Sequence, residues 1–531
     1  MSERVHASAS LLANSIYIHF TSRLVFLNPR ALTQAVGNLI FSIHRTLCIQ
    51  PFHPNFVLHA LPLIMEAEQS RTRLPGFGLP VNEIAFWRKD LEPWERLPHA
   101  IADYYASDGV TLRERRMLDF MNQITDKPSW HLKVFDQEIV AKWKEEAVRW
   151  DESLPEKGDE WLSETMFEVC MKELQEKADR FNEVGFVSVL DCEATVVKSD
   201  RAANQDLRER LKNAVNPLED VPERARDWHP KSDGKVLDLV HPSLFPVMYG
   251  YSKALAHGTV PLKTCASYTG KGDTIPEFKG AAQSLGHGGG QIAKAWGSFQ
   301  WLPSNIKFSE DGKPKIDSYI NNLHPQKHAE LYLVLEQFVH MAIPLWNESI
   351  SWFHNRIRLR IPATGRGDYY YPDGVRFPRE QYRPNPEAES YESSELDSDS
   401  DSDSEDADEI WAEDNGLSSE WEAWHEQNKI LLQHEPVFTP RSELEKRPGA
   451  KPIDLQKDFH EKGIQVIFKL ANIELTPEKP TYDGGSWHVE GSLNEHICAT
   501  ALYYYDSENV TESRLAFRQS FNTWEMTIKA E

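Results

Sequence analysis

Two β-forming runs near the end of the chain constrain its fold more than any other feature: residues 464–475 (IQVIFKLANIEL) and 497–505 (ICATALYYY), both rich in β-branched and aromatic residues. Between them lies Tyr482-Asp483-Gly484-Gly485-Ser486-Trp487-His488-Val489-Glu490-Gly491. On an extended backbone, residues i and i+2 point to one face, so the His488 imidazole and the Glu490 carboxylate can aim at a single point. They are two members of the 2-His-1-carboxylate set that holds non-haem Fe(II) and leaves positions open for oxygen and a co-substrate. His-x-Glu pairs arise by chance in many chains. Taken alone, a histidine hydrogen-bonded beneath the loop is the plainer explanation. Gly484-Gly485 predicts a close backbone approach beside the pair.

The 531 residues have room for two or three domains. A hydrophobic content of 40% with 16 Trp is enough for a large core. The net charge of −24 is uneven: fourteen acidic residues and no Lys or Arg fall between Glu387 and Asp414. Such a segment cannot bury apolar surface and is expected to be disordered. Its serines among acids, Ser398 to Ser404, suit an acidophilic kinase, although a solvated insertion is the simpler account. No basic footprint points to nucleic acid. Five dispersed cysteines (Cys48, Cys170, Cys192, Cys265 and Cys498) without C-x-x-C spacing read as reduced thiols of an intracellular protein, cytoplasmic or nuclear, with no zinc site. The start has no signal-peptide layout. Residues 46–65 are uncharged over the length of a membrane span, but Pro51, Pro54, Pro62, His53 and His59 argue against one, and no membrane partner is expected.

Periodicity predicts helices at 112–124, with Leu112, Arg116, Met117, Phe120 and Ile124 inward, and at 134–148, with Phe135, Ile139, Trp143 and Ala147 inward. Further helices are expected at 161–181, at 204–215 (stopping at Pro217), at 326–346, and from Trp411 through Trp421 and Trp424 to Gln433. Strands are expected at 185–190, 194–198, 299–303, 306–308 and 316–320. The stretch 227–243, rich in Pro, Trp and His, reads as ordered loop. Residues 286–290, around His287, lack the preceding strand and following Lys-Ser/Thr of a phosphate cradle. His229, His241 and His324 sit beside Pro or Trp, where packing is the default role and a pocket role the minority one. His496, six residues beyond Glu490, reaches a shared metal only if the chain folds back. Lys469 and Arg518 are candidates to pair with a co-substrate carboxylate, with a solvated strand charge the simpler account of each.

Six stretches carry a resemblance: ITDKPSW (124–130), KVFDQEIVAKW (133–143), DWHPKSDGKVLDLVHPSLFPVMYG (227–250), FQWLP (299–303), SYINNLHP (318–325) and the long run from Gln465 to Gln519. They resemble a large, mostly fungal domain-of-unknown-function family whose members look like Fe(II)/2-oxoglutarate-dependent dioxygenases. The resemblance implies an α+β fold, in which a helical N-terminal region precedes a double-stranded β-helix (jelly-roll) core. It also implies Fe(II) and 2-oxoglutarate as cofactors, His488 and Glu490 as metal ligands, and an unknown substrate to hydroxylate. The later His of such enzymes is not matched here, so a barrel truncated at the C-terminus, inactive as it stands, is expected. The expected organisation is an extension at 1–71, a helical domain at 72–150, the first part of the α+β body at 160–385, an acidic insertion at 386–414 and a β-rich segment at 415–531. The other function class is a non-catalytic jelly-roll scaffold with the acidic segment as a regulatory arm.

Overall fold

The structure, a computed structural model, describes residues 110–148, 162–190, 195–255, 259–277, 298–352, 358–361, 435–450, 452–488, 490–491, 495, 497–511 and 513–517, and the backbone of 14–21, 375–376 and 430–431. Residues 46–65, 286–290 and 386–414, the three tryptophans at 411, 421 and 424, His496 and Arg518 lie outside the described residues. Chain order begins with strand β1 (Asn14–Thr21) and passes to a helical part. Thr111 caps α1 (Leu112–Thr125) by accepting the Glu114 N–H at 3.1 Å. The T-x-x-E spacing suits a capping box, yet the Glu114 carboxylate turns inward to Arg360. The inward face is therefore rotated from the expected stripe: Met117, Met121 and Ile124 are buried with Arg113 and Glu114, and Leu112 is exposed. Past Pro128, a single turn, α2 (Trp130–Lys133), seats Trp130 against Phe181.

Asp136 caps α3 (Gln137–Ala147), which buries Trp143. Phe135, expected on that stripe, precedes the helix and is exposed. Ser163 starts and Gly185 ends α4 (Glu164–Val184), whose Phe167, Cys170, Leu174 and Phe181 complete this core. The strands β2 (Val187–Val189) and β3 (Val196–Lys198) pair antiparallel against it. Asn204 caps α5 (Gln205–Glu219), which continues past Pro217. So near the helix end, the missing proline N–H removes only a last-turn bond.

The second core lies between a sheet and α6 (Ala329–Ser351), which buries Leu331, Leu335, Phe338, Val339 and Ala342 as the periodicity predicts. The sheet strands are β1, β4 (Asp227–Trp228), β5 (Val236–Val240), β6 (Ser304–Phe308), β7 (Pro314–Ile316), β8 (Ile464–Ile473) and β9 (Ile497–Asp506). Their order is β7-β6-β8-β1-β9, every pairing antiparallel. The second edge of β8 is shared: β6 pairs with residues 464–466 and β5 with residues 470–473, and β4 pairs with β5. Three findings depart from the sequence expectations. The segment 227–243, read as loop, contains the β4–β5 hairpin. The extension 1–71 supplies a strand between β8 and β9. The helix expected from Trp411 to Gln433 lies mostly outside the described residues, and at its expected end Ile430–Leu431 instead form a strand paired with Val375–Arg376.

Burial along β8 does not alternate because both its faces are covered. Ile464, Val466, Phe468 and Leu470 join the core with α6. Ile467 faces the other way and packs with Trp301 and Ile497. The described strands form open antiparallel sheets with no closed barrel. What stands of the expected fold is thus a mixed helix-and-sheet body. Among the described residues no helix is long and apolar enough to cross a membrane. Cys170 and Cys265 are free thiols.

Gly463 brings the chain into β8 at φ +73°, and a Cβ there would stand 2.2 Å from the Ile306 carbonyl oxygen on β6. Both the left-handed backbone and the contact exclude a side chain. Gly463→Ala is expected to cost more than about 2 kcal/mol; a urea midpoint equal to that of the unchanged protein would refute the close approach.

Buried charges tie the two cores together. Arg360, fully buried, donates twice to Glu173 (2.7 and 2.8 Å) and once to Glu114 (2.7 Å), and the Arg360 and Ile361 N–H groups also donate to Glu114. Burial alone would raise the Glu173 carboxyl, but Arg360, Lys177 and Arg358 hold it well below its usual range. On α6, Glu348 accepts from Arg180 (2.8 Å), Ser188 (2.7 Å) and Trp352 (3.1 Å), and from Arg441 on α7 (Arg441–Leu444).

Candidate functional site

The functional candidates gather on the face of the sheet turned away from α6. Alternation along β8 puts Lys469 and Ala471 on that face with Ile467. In β5, Asp238 stands opposite Ala471, and opposed residues share a face, so Asp238 points away from the helices while Leu237 enters the core. A register shift between Leu470 and Ala471 lets both Leu239 and Val240 be buried. The hairpin brings Asp227 directly opposite Asp238 and places His229 just beyond β4, with its N–H on the Val236 carbonyl. His241 follows β5. Its ring lies 5.3 Å from that of His229 between centroids.

His229 Nδ1 donates to Asp238 Oδ2 at 2.8 Å. The Asp238 side chain is 3% exposed, and its Oδ1 is buried without a hydrogen-bond partner. One ligand atom from each of His229, Asp238 and His241 falls within 4.8 Å of the other two. Burial, then the facing Asp238 charge, raises the Asp227 carboxyl. Burial lowers His241 to about 4, against the pull of Asp238, so its ring is neutral at pH 7. The sequence held a signal for this hairpin in the turn residues Ser232-Asp233-Gly234 between Trp228 and the apolar run Val236–Val240. The crowding of Pro and His around it masked that signal.

His488 and Glu490 do converge. Nε2 of His488 lies 3.4 Å from Oε1 of Glu490, while Nδ1–H donates to the Ser486 carbonyl at 2.7 Å. That carbonyl keeps a proton on Nδ1 and aims Nε2 at Glu490. Glu490, then Ser486, raises the His488 pKa. The His488 side chain is 59% exposed and that of Glu490 21%. Gly484 takes φ +85°, but a Cβ on Gly485 would meet nothing within 4 Å. The expected tight approach at the second glycine is therefore absent; the pair is placed by the turn and not by crowding.

The two clusters adjoin. The Glu490 charge acts on His241, and the Lys469 charge acts on both His241 and His488. Trp301 braces the loops: its Nε1 donates to Ser243 Oγ at 2.7 Å and its N–H to the buried Glu495 carboxylate at 3.0 Å. Ser243 N–H donates to His241 Nδ1 at 3.1 Å, and Asn321 donates to the Pro242 carbonyl at 2.8 Å. His324 sits apart, accepting the N–H groups of Gln326 and Lys327 ahead of α6.

Fold and site define a mixed helix-and-sheet protein with histidine–carboxylate clusters beside the face of an antiparallel sheet turned away from α6. The chain belongs to the DUF4246 family: residues 164–531 match the protein of unknown function (DUF4246), and residues 74–146 match the domain of unknown function DUF4246, N-terminal. No curated protein and no solved structure matches the chain.

Proposed function

We propose that the chain is an oxygenase-type protein that uses Fe(II) and 2-oxoglutarate to hydroxylate a substrate, with His488 and Glu490 as metal ligands on a jelly-roll-related sheet. The observation that carries this is the pair itself: the His488 Nε2 and a Glu490 carboxylate oxygen stand 3.4 Å apart. Two ligands at about 2.1 Å from one ion, set near a right angle, lie about 3 Å apart, so the donor set fits. Bound there, Fe(II) supplies open coordination positions for oxygen and the keto acid. The Ser486 carbonyl fixes the imidazole tautomer and its direction. Lys469 is a cation on this face whose charge acts on His488, and it is the residue offered to attract a dicarboxylate. Among the described residues, no third His, Cys, Asp or Glu joins the pair within ligand distance, so Fe(II) is expected to bind weakly until 2-oxoglutarate adds its own donors.

Anaerobic Fe(II) titration of the full chain, with and without 2-oxoglutarate, tests this. 2-Oxoglutarate should tighten Fe(II) binding to the unchanged protein and have no such effect on His488→Ala or Glu490→Gln. Iron uptake indifferent to both substitutions and to 2-oxoglutarate would sink the oxygenase reading and leave the scaffold one.

A further inference from the structure

We infer that His229, Asp238 and His241 form a binding site for a divalent transition-metal ion, separate from His488 and Glu490. Two imidazoles and one carboxylate are a donor set suited to Fe(II), Zn2+ or Co2+. Their ligand atoms already lie within 4.8 Å of one another. The 2.8 Å between His229 Nδ1 and Asp238 Oδ2 is the spacing of neighbouring ligands on one ion with bonds of about 2.0–2.2 Å.

Two independent observations point to a cation. The first is Asp238 Oδ1, a carboxylate oxygen buried without a partner, in a protein interior that normally satisfies such atoms. The second is the register: Asp227 and Asp238 stand directly opposite each other on paired strands. Like charges so placed repel, and a bound cation between the carboxylates and the histidines removes that repulsion. Coordination through Nδ1 moves the His229 proton to Nε2. His241, whose Nδ1 accepts from Ser243, gives up that contact in either mode: binding through Nδ1 uses that lone pair, and binding through Nε2 moves the ring proton to Nδ1. Both are local rearrangements of ring protons and need no movement of the strands. The hairpin holds His229 and Asp238 in register, and the Pro242 and Ser243 contacts hold the loop that carries His241.

The site stands independently of the oxygenase proposal, and the experiment keeps the two apart. Chelator-stripped full-length protein is titrated with Co2+ alone, following visible absorption and heat. The double variant His488→Ala, Glu490→Gln should still take up one Co2+ per chain. His229→Gln and Asp238→Asn, each in that double-variant background, should weaken uptake at least about 100-fold. His229 is part-exposed, so His229→Gln reads the site even where Asp238→Asn disturbs folding; melting of the metal-free variants shows which case holds. Loss of all Co2+ uptake in the double variant, or uptake by His229→Gln equal to that of its parent, overturns the inference. Either result leaves the Fe(II) and 2-oxoglutarate titration to be judged by itself.

Discussion

The Arg360→Met substitution is expected to destabilise the protein by about 3–5 kcal/mol, because removing one member of a buried ion cluster leaves uncompensated charge. Glu114 and Glu173 are both fully buried. Arg360 provides two hydrogen bonds to Glu173 and one side-chain hydrogen bond to Glu114. Arg358 and Lys177 remain beside Glu173, but among the described residues the Glu114 carboxylate has, beyond the Arg360 side chain, the N–H groups of residues 360 and 361. The loss should fall on the helical core, since this cluster pins residues 358–361 between α1 and α4. Urea unfolding followed by helical circular dichroism measures it. Adding Glu114→Gln and Glu173→Gln should recover part of the loss, because neutral amides need no counter-charge. A single Arg360→Met variant within about 0.5 kcal/mol of the unchanged protein, the range of ordinary surface substitutions, would show that the cluster does not hold the core.

Acid should weaken the junction at Glu348. Burial alone would raise this carboxyl, but Arg441, Arg180 and Ser188 bring it down to about 2, from 4.5 for a free glutamate. A depressed carboxylate contributes stability that is fully present above the unfolded value and lost as pH falls through the folded one. The window is therefore about pH 4.5 down to 2, and the contribution at pH 7 is about 3 kcal/mol. Glu348→Gln lacks that titration. Comparing urea midpoints of the two proteins from pH 7 to 2 should show a gap that is wide at neutral pH and closes toward pH 2. Glu173 titrates in both proteins and cancels in the difference. A gap independent of pH would mean that Glu348 acts by packing and not by charge. The pairing joins Arg180 on α4 to Glu348 on α6, so its loss should also loosen the contact between the two cores.

The sequence by itself determined the long, strongly patterned elements. The inward residues of α6 repeat at helical spacing over five turns, and β8 and β9 are long runs of β-branched and aromatic residues, so local chemistry and tertiary packing agree. It also singled out His488 and Glu490 as a pair two positions apart, which the loop between β8 and β9 brings within 3.4 Å of each other. Only the tertiary structure decided what depended on distant partners. Glu114 faces inward because Arg360 lies 246 positions away in the chain, and this rotates the expected stripe of α1. β1 takes its place from pairing on both edges with strands at the far end of the chain. The His229, Asp238 and His241 cluster is close in sequence, yet it exists only because β8 accepts β5 along half of one edge, fixing the register that turns Asp238 away from the core. Backbone pairing of that kind leaves no periodic trace in a five-residue strand, whereas a buried helix writes its contacts into every third or fourth residue.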